Sequence, residues 1–157
     1  MNSGFALWFA FGIGLVAGMR SFTAPAIVAW SAHLHWISLQ VSPVAFMASK
    51  WTVIVFSVLA VIELVMDQLP STPPRTSAVG LSARIVTGAL AGACIAVASF
   101  STLWAGALCG AIGAMVGAFG GYNVRVGLVR ILRVPDFVIA IPEDLLAIGL
   151  GLFFGSR

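Results

Sequence analysis

A chain of 157 residues that is 61% hydrophobic and 8% charged, with a mean hydropathy of +1.09, has too little polar surface to coat a water-soluble globule. Soluble domains carry about 25% charged residues, so the composition points to an all-α, multi-pass membrane helical bundle in contact with the lipid bilayer. The formal charge of +3 is small and scattered, which argues against a nucleic acid partner. Cys94 and Cys109 fall in apolar helical runs and read as small packing residues, neither a disulfide nor a metal pair.

The opening MNSGFALWFAFGIGLVAG lacks the basic start of a signal peptide and reads as a retained first span. The apolar run Phe5–Ala32 would extend ~42 Å as one helix, too long for a hydrocarbon core of ~30 Å. An interruption is expected at Gly18-Met19-Arg20-Ser21, where Pro25 follows and disfavours helix just before it. His33–Lys50 is a serine- and aromatic-rich loop, with Trp30, Trp36 and Trp51 suited to a membrane interface. His33 and His35, two apart, read as loop residues and not as metal ligands.

A second span, Trp51–Leu69, is closed by the turn Pro70-Ser71-Thr72-Pro73-Pro74. The third and fourth spans, Leu81–Phe100 and Leu103–Tyr122, are separated by two residues and form an antiparallel hairpin. Val124–Arg133 places Arg125, Arg130 and Arg133 among apolar residues, the pattern of a short interfacial amphipathic helix. The fifth span is Phe137–Gly155, with Pro142 inside it. The expectation is about five spans in a single integral-membrane domain, 1–157, with the proline-rich loop dividing it into halves 1–74 and 75–157. Arginine and lysine counts favour the side holding Arg75, Arg84, Arg125, Arg130 and Arg133 as cytoplasmic, five against Lys50 and Arg157. With five spans the N-terminus is then cytoplasmic too.

Glycines recur at a spacing of four: Gly14/Gly18, Gly88/Gly92, Gly106/Gly110, Gly113/Gly117/Gly121 and Gly151/Gly155. Small residues at this spacing let membrane helices approach closely. The ladders serve packing within the chain, and Gly113/Gly117/Gly121 is the face expected to join two copies in a homodimer.

The charged residues inside the apolar runs carry the functional question. Glu63 and Asp67 share one helical face, and Glu63 lies roughly 9 Å inward of the helix end at Pro70. An ionised carboxylate at the centre of a membrane helix costs about 2.5–3.5 kcal/mol on insertion scales, so it calls for a cavity, a cation or an arginine. Asp67 in a last turn opposes the helix dipole, and Arg75 and Arg84 across the loop are its candidate partners. Arg20 and Ser21 sit at the expected break, where backbone amides lose their helical partners. Glu143 and Asp144 follow Pro142, either starting a short helix inside the membrane or riding on one kinked span. The candidate substrate- or ion-binding cluster is thus Arg20, Ser21, Glu63, Asp67, Arg75, Arg84, Glu143 and Asp144. No catalytic residue, resident metal or cofactor is assigned, because the sequence holds no HExxH, G-x-S-x-G or Walker A pattern.

Three segments together resemble a known family: Gly18-Met19-Arg20-Ser21-Phe22-Thr23-Ala24-Pro25-Ala26, then Glu63-x-x-x-Asp67-Gln68-Leu69-Pro70-x-x-Pro73-x-Arg75-Thr76, then Pro142-Glu143-Asp144 with Ala147. The chain is similar over nearly its whole length to the bacterial integral-membrane family catalogued as domain of unknown function 4126. The resemblance implies a place in the bacterial inner membrane and a shared pattern of Arg20, Glu63, Asp67, Pro70, Arg75, Arg84, Glu143 and Asp144. It implies no activity or substrate, and Gln68 stands where the family pattern leads one to expect lysine. Two readings lead: a small transporter or channel-like protein using the charged cluster, and a structural or accessory membrane subunit whose charges serve helix packing. A membrane enzyme acting on a lipid headgroup is the third.

Overall fold

The structure is a computed structural model that describes residues 3–39, 42–67, 77–132 and 136–155. Among them there are α-helices and one short 3-10 turn, with no strand. The helices are α1 (Ser3–Met19), α2 (Thr23–His33), α3 (Lys50–Met66), α4 (Ala78–Ala98), α5 (Leu103–Leu132) and α6 (Asp136–Gly155), and the 3-10 turn is Ala45–Ala48.

Local chemistry sets several of these boundaries. Pro25 lies in the first turn of α2, where a missing N–H costs no helical bond. Ser49 caps α3 by accepting from the Trp51 amide at 3.3 Å, and Ser77 caps α4 by accepting from the Gly80 amide at 3.3 Å. α6 runs through Pro142 as one helix, so Glu143 and Asp144 ride on a continuous segment. α4 and α5 are long and apolar enough to cross a membrane, which fits contact with lipid. α2, with eleven residues, extends only ~16 Å. Its shortness leaves room at the bundle's end for the following loop, which buries Ile37, Leu39, Val44 and Met47.

Glycines show how the helices run. Gly14 lies against Gly110, and Gly18 against Ala114 and Gly117, so α1 and α5 are parallel. Gly88 meets Gly110 and Ala114 while Gly92 meets Gly106, so α4 is antiparallel to both. Gly12 faces Phe154 and Gly151 faces Val16, so α6 is antiparallel to α1. A Cβ on Gly110 would overlap the backbone carbonyl of Gly88. The three-helix core α1–α4–α5 is therefore held at backbone-to-backbone distance, with Ala17, Ala91 and Ala114 fully buried in it.

The break in the first segment falls where expected, at Arg20–Phe22, and it reverses the chain. Ile27 packs on Gly151 and Gly155, and Ser31 lies near Gly155. α2 therefore returns alongside α6, and α1 and α2 form a helical hairpin. This corrects the five-span expectation for the N-terminus: the start of α1 lies at the same end as the α4–α5 turn and the end of α6, opposite the end that holds Arg20. Trp8, Trp36, Trp51 and Trp104 are all exposed toward that terminal end.

Two further expectations are corrected. Residues 124–132 are not a separate interfacial helix but the continuation of α5, since no proline interrupts the run before Pro135. Gly113 and Gly117 do not form a face for a second copy. Their Cβ positions are occupied by the Phe11 and Leu15 backbone of α1.

Candidate functional site

In an unbroken helix the Phe22 amide would bond to the Gly18 carbonyl, four residues back. Here charge-assisted bonds take over on both sides of the break. The Phe22 amide donates to Glu63 Oε2 at 2.9 Å, and the adjacent Ser21 amide donates to Glu63 Oε1 at 2.7 Å. The Gly18 carbonyl accepts from Arg84 Nε at 3.1 Å, and Arg84 Nη1 donates to the Gly80 carbonyl in its own helix at 3.0 Å. An anion thus sits at the positive N-terminal end of α2 and a cation at the negative C-terminal end of α1, each matched to the local helix dipole. Helix α1 itself runs on to the Arg20 amide, which donates to the Val16 carbonyl at 2.8 Å.

The Arg20 side chain is 1% exposed and reaches from the reversal to α6 and the end of α3. Its Nε donates to Asp144 Oδ1 at 2.7 Å, and its Nη2 pairs with the same oxygen. Asp67 Oδ2 lies 3.9 Å from Nη2. Asp67 closes α3 as its C-terminal cap, where a carboxylate opposes the helix dipole, and the Arg20 cation offsets that opposition. Four elements thus meet at one point: the α1–α2 reversal, the last turns of α3, the second turn of α4 and the middle of α6.

Arg20, Ser21, Glu63, Asp67, Arg84 and Asp144 are brought together as the sequence suggests. Among the described residues Glu143 does not join this group. It turns to α5 and lies 3.5 Å from Arg125 Nη1, beside a cavity of about 490 Å³ between α1, α5 and α6. Arg75 lies outside the described residues. Sequence reasoning missed three things. Among the described residues Asp67 lies beside Arg20, which was not among its candidate partners. Arg125 pairs with Glu143, eighteen residues on. The acceptor for Arg84 is a backbone carbonyl. Only the last had a signal, because a break at Gly18 must orphan a carbonyl near it. His33 is a loop-anchoring residue, with Nδ1 3.0 Å from the Ala48 carbonyl. Among the described residues no three His, Cys, Asp or Glu side chains are grouped to hold a metal ion.

The sequence model for the family described as Domain of unknown function (DUF4126) matches residues 7–154. The chain belongs to this family. The DUF4126 match takes in the α1–α2 reversal, the charged cluster and the cavity beside Glu143. No curated protein and no solved structure matches the chain.

Proposed function

We propose that this DUF4126 protein is a structural or accessory subunit of the bacterial inner membrane, and that its charged cluster is an assembly device. The observation that carries this reading is the use of Glu63 and Arg84: one takes the donors and the other the acceptor released by the break between α1 and α2. Irregular backbone at membrane depth is stable only where protein or water satisfies it, and here the Glu63 and Arg84 side chains do so. The cavity beside Glu143 is lined by neither Arg20 nor Glu63.

Transport is the second reading. It draws on Arg20 Nη1, which is buried without a hydrogen-bond partner among the described residues and would suit a passing solute. Proteoliposomes loaded with a pH-sensitive or potassium-sensitive dye separate the two. The structural reading expects flux no faster than in empty vesicles, and a lowered melting temperature in Glu63→Gln. Flux in the wild type that Glu63→Gln abolishes while the protein stays folded would establish transport instead.

The end bearing Arg84, Arg125 and Arg130 faces the cytoplasm by the excess of positive charge, which puts the start of α1 outside. With Cys94 and Cys109 first replaced by alanine, cysteines at Gly4 and Ser38 should be labelled from outside intact cells, whereas one at Thr76 should not. Protection of Gly4 together with labelling of Ser38 would contradict a reversal of the chain at Arg20.

A further inference from the structure

The cavity of about 490 Å³ between α1, α5 and α6 has no part in the charged cluster. Its size falls within the roughly 300–1,000 Å³ of ordinary ligand sites. Gly117, Gly120 and Gly121 line it on α5. A Cβ on Gly120 would meet nothing within 4 Å, and one on Gly121 would meet only Glu143 Oε1 at 3.5 Å and Met19 at 3.7 Å.

The cavity is also graded in polarity along the bundle axis. Toward the middle of α5 it is lined by Leu15, Val116 and Leu150, all apolar, and its shallow end, toward the end of α5, holds Arg125 and Glu143. On α5 it runs from Val116 to Leu128, ~18 Å at helical rise, so it is a groove lying along the helices. Arg130, further out on α5, is exposed. Among the described residues this end of α5 and the facing part of α6 present Arg125 and Arg130 against Glu143.

We propose that this cavity binds one acyl chain of an anionic phospholipid, with the phosphate drawn to the shallow end by Arg125 and Arg130. A long apolar slot with a charged mouth matches an amphiphile lying with its head at the interface and its chain inward. The positive balance at the mouth selects an anionic head, as basic pockets between membrane helices do.

The test uses the detergent-solubilised full chain, titrated with dioleoylphosphatidylglycerol or dioleoylphosphatidylcholine, with retained lipid read by native mass spectrometry. The wild type should retain the anionic lipid with an affinity about tenfold higher than the zwitterionic one. Gly120→Leu should fold, since its side chain enters open space, and should retain the anionic lipid about tenfold more weakly. Leu146→Trp, which fills the same slot from the exposed face of α6, is the second variant in case the first does not fold. Equal retention of the two lipids by the wild type, or undiminished retention of the anionic lipid by a folded variant, would overturn the proposal.

Discussion

Arg20→Gln should be the most damaging single substitution in the cluster, lowering stability by about 3–5 kcal/mol, the cost of breaking one side of a buried ion pair. The loss comes less from the missing attraction than from what remains. Asp144, 7% exposed, would be left buried with its main partner gone, and Asp67 would again oppose the dipole of its own helix. Removing the second charge relieves part of this. Arg20→Gln with Asp144→Asn should therefore cost less than the sum of the two single substitutions, by the coupling of about 0.5–3 kcal/mol usual for contacting residues. Asp67 stays behind in the double variant, so recovery is incomplete. Thermal unfolding of the four proteins in one detergent gives the cycle, and additive losses would mean that Arg20 and Asp144 do not meet.

Glu63→Ala should come close behind. It strips the acceptor from two adjacent amides, Ser21 and Phe22, in a part-buried turn. An orphaned buried donor costs about 1–3 kcal/mol, so the pair should cost several kcal/mol together. Glu63→Gln should cost less, because an amide oxygen still accepts one of the two bonds without the charge. The order Ala worse than Gln worse than wild type, read from melting temperatures, is the expected outcome. Equal melting of the Gln and Ala variants would mean that the oxygen of residue 63 is not what the turn requires.

Much of this arrangement is legible in residue order, for reasons that are local. A run from Phe5 to Ala32 is too long to be one span, and glycine, arginine and proline mark where it gives way. Glu63 and Asp67, four apart, had to share a face, and they do share the face turned to the break. The directions of the helices were not legible, because a break can bend, shift or reverse a chain and only packing against α5 and α6 decides which. The same holds for the glycine ladders. Spacing of four announces close approach but not the partner, and Gly113 and Gly117 spend theirs on α1. Arginines among apolar residues after Gly121 look alike whether they begin a new interfacial helix or prolong an old one. Pairing was the least legible of all. Glu63 was expected to face a cavity, a cation or an arginine, yet it binds backbone amides, which every residue but proline carries and no sequence pattern singles out.

The direct test of the assembly reading is amide hydrogen exchange at Ser21 and Phe22, followed by NMR with the protein in lipid nanodiscs. If Glu63 takes the donors released by the break, both amides are protected in the wild type although neither has a helical acceptor. In Glu63→Ala they should then exchange at least about tenfold faster, a shift of roughly 1.4 kcal/mol in local opening, while the amides of Gly110–Ala114 in α5 stay protected. Fast exchange at Ser21 and Phe22 in the wild type, or exchange unchanged by the substitution, would contradict it.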